Sequence, residues 1–274
     1  MPASTPGGSR HRNIAIARLI GATVLVATLV APAVAVLGNP ARAAEVRLLS
    51  AAAMQSVLKE IASDFERISG HSLIIDYATM GAIDQRVLGG ETADLVIGSS
   101  PSISNLVKEG RIRADSQVTI CKVGVGLVVA SGSPKPQIAS LEDFKRALLA
   151  AKLIVYAEPA RGGAAGIHVA RVIEKLGLAE QLSPKTKFGV GGDVTEVTLA
   201  QGEGALGLTQ ISEIVEKRGA EFLGPLPEEL QNYTGVAAGI PTGAAPSEGA
   251  VALIKFLTSP TAIAVIKAKG MEIE

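Results

Sequence analysis

Apolar and polar positions follow two different periods along this chain. In the stretch 46–65, VRLLSAAAMQSVLKEIASDF, Val46 to Leu49 form a short apolar run, and Ser50, Ala51, Ala52 and Ala53 follow. Met54, Val57, Leu58, Ile61, Ala62 and Phe65 then recur at offsets 0, 3, 4, 7, 8 and 11, while Gln55, Ser56, Lys59, Glu60, Ser63 and Asp64 take the other positions. The first run reads as a buried strand and the second as one face of a 3.6-residue helix. The small residues between them let a ligand approach the backbone N–H groups of the first helical turn. With the helix dipole those groups form an anion site. Taken alone, the stretch fits a plain strand–helix connection that binds nothing equally well.

The same grammar repeats downstream. Gly70 stops the first helix, and Leu73 to Tyr77 read as a strand. Ala78, Thr79, Met80 and Gly81 make a second small-residue turn, opening a helix over 82–88 that Gly89 and Gly90 close. A third strand spans 93–97, and SSPSIS caps a helix running to Glu109. Strand–helix alternation with short connections predicts a parallel sheet covered by helices. The β-rich run Val118 to Ala130 is long enough to cross from one unit to another. Ser140 to Asp143 form a capping box for a helix through Leu149. Leu153 to Tyr156 are a strand, and Arg161 to Gly166 lead into a helix with Val169, Val172, Ile173 and Leu176 on one face. Phe188 to Val190 are a short strand, and Gly191, Gly192, Asp193 and Val194 open another helix. Leu206 to Thr209 are a strand with Gln210 at its carboxyl end. Tyr233 to Ile240 are a second candidate crossing, and two helices, 247–257 and 259–270, complete the tail. Two α/β units joined by two crossings, with glycine- or alanine-lined helix starts, predict a cleft between domains. Ligands of open parallel sheets sit at the carboxyl ends of the strands.

Composition narrows the function. The chain has 274 residues, 47% hydrophobic and 19% charged, with zero formal net charge and 3% aromatics, none of them Trp. That excludes a basic, base-stacking nucleic-acid surface. The first 43 residues carry Arg10, Arg12 and Arg18, an apolar run from Leu19 to Leu37, and Ala41-Arg42-Ala43. This is the pattern of a secretory signal peptide cut after Ala43; a retained anchor is the alternative, since the run is long for a signal. Its removal leaves 22 basic against 26 acidic residues, a net of −4. An anion ligand would then be held by local donors and not by the overall field. Cys121 is the single cysteine, so no intramolecular disulfide forms and a buried inert thiol is expected.

Signals for catalysis are weak. Beyond the leader, the histidines are His71 and His168, neither with a metal-type partner at i+3 or i+4. The chain has no G-x-S-x-G elbow and no phosphate-binding G-x-x-x-x-G-K-[ST] loop, and Gly189 to Gly192 lack dinucleotide spacing. Arg161 precedes a helix start, within reach of a ligand anion or of Glu158; an exposed surface arginine is the plainer reading. Asp94 is expected to brace the sheet edge. No cofactor, no metal and no enzyme activity are expected.

The order LLSAAAMQSVLKEIASDFE, ETADLVIGSS, VGVGLVVASGSP, AEPARGGAAGIHVARVIEKLG, ALGLTQISE and SPTAIAVIKAKG, over 44–274, resembles the periplasmic molybdate-binding proteins of ABC importers. The resemblance implies a two-lobed α/β binding protein, each lobe a mostly parallel sheet flanked by helices, with two hinge strands. Lobe one would comprise 45–126 and 237–274, and lobe two 127–236. It implies a periplasmic monomer that holds a small anion between the lobes and docks on a membrane permease, with no nucleic acid involved. Members of that family hold a tetrahedral oxyanion with two serine hydroxyls, a tyrosine hydroxyl and backbone amides. By position the serines fall on Ala53 and Met80, the backbone donors on Ala165 and Val194, and the tyrosine on Gln210. The expected ligand-binding set is therefore Ser50, Ala53, Thr79, Met80, Gly81, Ala165, Val194 and Gln210, with Ser50 and Thr79 as nearby hydroxyls. Either those hydroxyls and the backbone compensate for the missing ones, or the ligand is an organic anion and not molybdate. A sensing receptor or an enzyme on the same two-lobed fold is the alternative role.

Overall fold

The computed structural model describes residues 44–215, 217–243 and 247–273. The expected leader, 1–43, lies outside the described residues. Strand β1 (Glu45–Ala51) leads through a 3-10 turn into helix α1 (Gln55–Ser69). Then come β2 (Ser72–Ala78), α2 (Met80–Leu88), β3 (Leu95–Ser99), α3 (Ser100–Lys108), β4 (Val118–Val123) and β5 (Val125–Ala130). The middle of the chain gives α4 (Leu141–Ala150), β6 (Leu153–Ala157), α5 (Ala164–Lys175), α6 (Ala179–Leu182), β7 (Thr186–Gly189), α7 (Val194–Gln201) and β8 (Ala205–Gln210). It closes with β9 (Ala220–Pro225), β10 (Thr234–Gly239), α8 (Glu248–Leu257) and α9 (Pro260–Ala268).

The strands form two five-stranded sheets, ordered β2-β1-β3-β10-β4 and β7-β6-β8-β5-β9. In the first, β1 runs parallel to β2 and β3, while β10 is antiparallel to β3 and β4. In the second, β6 runs parallel to β7 and β8, while β5 is antiparallel to β8 and β9. Helices cover both faces of the parallel portions, so β3 and β8 are buried along nearly their whole lengths.

Local chemistry accounts for the helix ends. Thr79, Ser99, Ser140, Ser247 and Ser259 each accept a backbone N–H as N-caps of α2, α3, α4, α8 and α9. Gly70 takes the left-handed conformation that ends α1, at φ 73°. The apolar face of α1 is buried: Met54, Val57, Leu58, Ile61 and Phe65 pack with β1 and β3 and with α8 and α9. Phe65 meets Phe256 edge to face at 5.7 Å between centroids.

The chain passes between sheets at two adjacent points. The long run 118–130 is not one strand: β4 belongs to the first sheet, β5 to the second, and Gly124 is the step between them. The return lies between β9 and β10, ahead of the run expected to cross, because β10 pairs only within the first sheet. β5 thus begins two residues before 127 and β10 three residues before 237. Gln231 bridges the two passages. Its side-chain carbonyl accepts from Val125 N–H and its NH₂ donates to Val125 C=O, both at 2.9 Å. A Cβ at Gly124 would press on Gln231, whose Nε2 lies 3.1 Å from that position.

Candidate functional site

A cavity of about 60 Å³ lies between the lobes. It is built at the carboxyl ends of the parallel strands, from 51–53 after β1, 78–80 after β2, 98–99 at the end of β3, 163–166 at the start of α5, 191–192 after β7, and 209–213. This is where open parallel sheets place ligands. Glycines let the lobes meet around the cavity. A Cβ on Gly81 would lie 2.8 Å from the Arg161 carbonyl, one on Gly191 2.3 Å from Thr79 Cγ2, and one on Gly192 2.7 Å from Ala52 Cβ. The cleft is therefore closed, with backbone against backbone at its rim.

The lining is mostly small and apolar, with a few polar side chains and no cation. Among the described residues it contains no lysine, arginine or histidine. Helix α5 has no side-chain cap, so the first-turn residues Ala164, Ala165 and Gly166 border the cavity with backbone N–H groups that have no partner within the helix. The α5 dipole supports negative charge at the same point. Thr79 and Ser99 line the cavity while their oxygens cap α2 and α3. Gln210 is 6% exposed, and its buried Oε1 has no hydrogen-bond partner. Met80 lays its thioether against Gly98, where a Cβ would lie 2.1 Å from the sulfur. Glu213 completes the lining in the turn after β8 and accepts a hydrogen bond from Thr209 Oγ1. Burial pushes its carboxyl up from 4.5 to about 7, reinforced by the charges of Glu196 and Asp193 and opposed by the Thr209 bond and Lys217.

The expected ligand set divides. Ala53, Thr79, Met80, Ala165 and Gln210 line the cavity together. Ser50, Gly81 and Val194 do not. Ser50 is fully buried on β1 and donates to the Ala51 carbonyl at 3.2 Å, because its strand face points into the protein. Gly81 forms the lobe contact at the rim, and Val194 packs with Val155 and Ala157 beneath β6. Sequence reasoning missed Glu213. The segment ALGLTQISE drew attention to Gln210, but the 3-10 turn 211–213 that folds the acid back against Thr209 carries no sequence signature.

The other candidates have local partners. Arg161 pairs with Glu158 at 3.0 Å and does not line the cavity. His168 Nε2 meets the Leu230 carbonyl at 2.7 Å, and His71 Nδ1 accepts from Ala44 N–H at 3.2 Å. Cys121 is buried with its sulfur 3.7 Å from that of Met271. Asp94 accepts from Arg47 N–H at 2.8 Å and so braces β1. However, β1 is an interior strand and Asp94 stands just before β3, at the opposite end of that strand from the cavity, so its role is structural without being at the sheet edge or near the cleft. Among the described residues no three His, Cys, Asp or Glu side chains converge to hold a metal.

Comparison with known proteins agrees with this architecture. The chain is 30% identical to the molybdate-binding protein ModA of Azotobacter vinelandii, over 84% of this chain and 90% of that one. It is 27% identical to an aconitate isomerase from a Pseudomonas species, over 82% of this chain and 86% of that one. The solved periplasmic molybdate-binding protein of Azotobacter vinelandii superposes with a TM-score of 0.70 at 19% identity, covering 84% of this chain and 99% of that structure. The family model described as bacterial extracellular solute-binding protein matches residues 46–272, and the chain, with its two lobes closed over a cavity at the strand ends, belongs to that family.

Proposed function

We propose that the chain is the extracytoplasmic binding component of an ABC importer and closes its lobes on a small organic anion. Export by cleavage after Ala43, a monomeric state and docking on a membrane permease belong to the same reading. The observation that carries it is the lining of the cavity. Backbone N–H groups at the α5 start favour an anion, while Ala53, Met80 and Gln210 replace the three hydroxyls expected for a tetrahedral oxyanion. Each hydrogen bond to a charged group contributes about 1.5–3 kcal/mol, so losing two or three weakens oxyanion binding by several powers of ten. A thermal-shift panel of molybdate, tungstate, sulfate, phosphate and small carboxylates tests this, since a ligand at a hundredfold excess over Kd stabilises by about 2.7 kcal/mol. The largest shift is expected from a carboxylate. Micromolar or tighter binding of molybdate, measured by calorimetry, would overturn the reading of the ligand.

A second reading is an acid–base enzyme on the same fold. Glu213, with its carboxyl raised to about 7 inside the cleft, is suited to exchange a proton with a bound acid, and one relative is named for the isomerisation of an organic acid. Incubation with cis-aconitate, followed by chromatography for the trans isomer, separates this from simple binding. Binding is the reading we keep, because Glu213 is the one titratable side chain among the described residues that line the cavity, and no second acid or base stands beside it there.

A further inference from the structure

Glu213 is the one charged side chain among the described residues that line the cavity. An ionised carboxylate there repels any bound anion, with no cation in the lining to offset it. A protonated one is neutral and offers an O–H donor beside the backbone N–H groups. The groups facing it do not remove the conflict. Lys217 is paired with Glu196, and Asp193 accepts from Val190 and Gly191 N–H at 2.8 and 3.0 Å. On the outer side, in a neighbouring hollow that Glu213 also borders, Lys269 pairs with Glu60 and Lys59 lies nearby. A second observation is independent of the acid: Gln210, 94% buried, has a side-chain carbonyl oxygen without a donor. A bare carboxylate or a fully ionised oxyanion cannot supply that donor; a hydroxyl can.

We propose that the cleft takes a small hydroxy acid together with one proton, with Glu213 held as the neutral acid and donating to the ligand carboxylate while the ligand hydroxyl donates to Gln210 Oε1. The inference rests on the cleft binding a small organic anion, as proposed above. No covalent bond changes: the ligand enters as the anion and the proton comes from solvent to the Glu213 carboxyl. The raised carboxyl, at about 7, is consistent with this exchange falling in the neutral range.

Calorimetry with glycolate, lactate, acetate and propionate at pH 6, 7 and 8 tests the proposal. If only the protonated form binds, Kd for glycolate or lactate weakens about tenfold from pH 6 to pH 8. At pH 8, titration in two buffers of different ionisation enthalpy should show close to one proton taken up per anion. The hydroxy acids should bind at least tenfold more tightly than acetate or propionate. Glu213→Gln should abolish the pH dependence, bringing the pH 6 and pH 8 constants within twofold of each other. A flat wild-type profile with no proton uptake, or acetate binding as tightly as glycolate, would overturn the proposal while leaving the anion site intact. If none of the four acids binds at any pH, the small-anion reading fails and this inference falls with it. Should the variant not fold, the wild-type pH profile and proton count decide alone.

Discussion

Replacing Glu213 with Gln tests the electrostatics of the empty cleft independently of any ligand. The carboxyl sits at about 7 in the folded protein against 4.5 unfolded, chiefly because of burial. A raised acid favours the folded state when protonated. Its contribution is fully present below 4.5 and is lost as pH rises through 7. One pKa unit corresponds to 1.36 kcal/mol, so this one group withdraws about 2–3 kcal/mol of unfolding free energy between pH 5 and pH 8. Glutamine has nearly the same shape, cannot ionise, and still offers its amide oxygen to the Thr209 hydroxyl. The variant should therefore match the wild type near pH 5 and exceed it at pH 8. For a domain of this size the gain is roughly 5–10 °C in Tm. Urea unfolding followed by far-ultraviolet circular dichroism at both pH values measures it. The difference between the two proteins is the informative quantity, since every other titrating group is common to both. Parallel stability curves from pH 5 to pH 8 would refute the assignment of Glu213 as a desolvated acid.

Four further outcomes follow from the same geometry. Gly81→Val places a side chain where a Cβ already lies 2.8 Å from the Arg161 carbonyl, so the lobes should be held apart. Small-angle scattering should then give a larger radius of gyration than the wild type, and ligand affinity should fall at least tenfold. Phe65→Ala removes a fully buried ring packed edge to face against Phe256 and should cost about 3–5 kcal/mol by denaturant titration. The triple change Ala53→Ser, Met80→Ser, Gln210→Tyr should raise molybdate affinity at least tenfold in calorimetry; no gain would show that these positions do not correspond to hydroxyl donors. N-terminal sequencing of the exported protein should begin at Ala44, and a start at Met1 or within 19–37 would exclude cleavage after Ala43.

Much of this architecture is legible from local pattern. The spacing of Met54, Val57, Leu58, Ile61 and Phe65 defines a helix face without reference to the rest of the chain, and that face is the one buried. Serine or threonine before a helix and glycine after it mark ends, because the cap bonds are made within four residues. The short strand–turn–helix repeats likewise imply parallel sheets with a ligand cleft at their ends.

What periodicity does not report is where distant segments meet. The run 118–130 is β-rich throughout, so its division at Gly124 between two sheets depends on partners far along the chain, β8 and β9 on one side and β10 on the other. Strand β9, AEFLGP, is a half-exposed edge whose pattern identifies it only once β5 lies beside it. The cavity joins residues from 51 to 236 in number, and only the closed lobes set its size or turn Ser50 and Val194 away from it. Glu213 is the sharpest case. A glutamate in the stretch Ile211-Ser212-Glu213-Ile214 reads as an ordinary surface acid. The desolvation of its carboxyl and its Thr209 bond arise from the packing of β8, α7 and the start of α1, which the chain acquires only on folding.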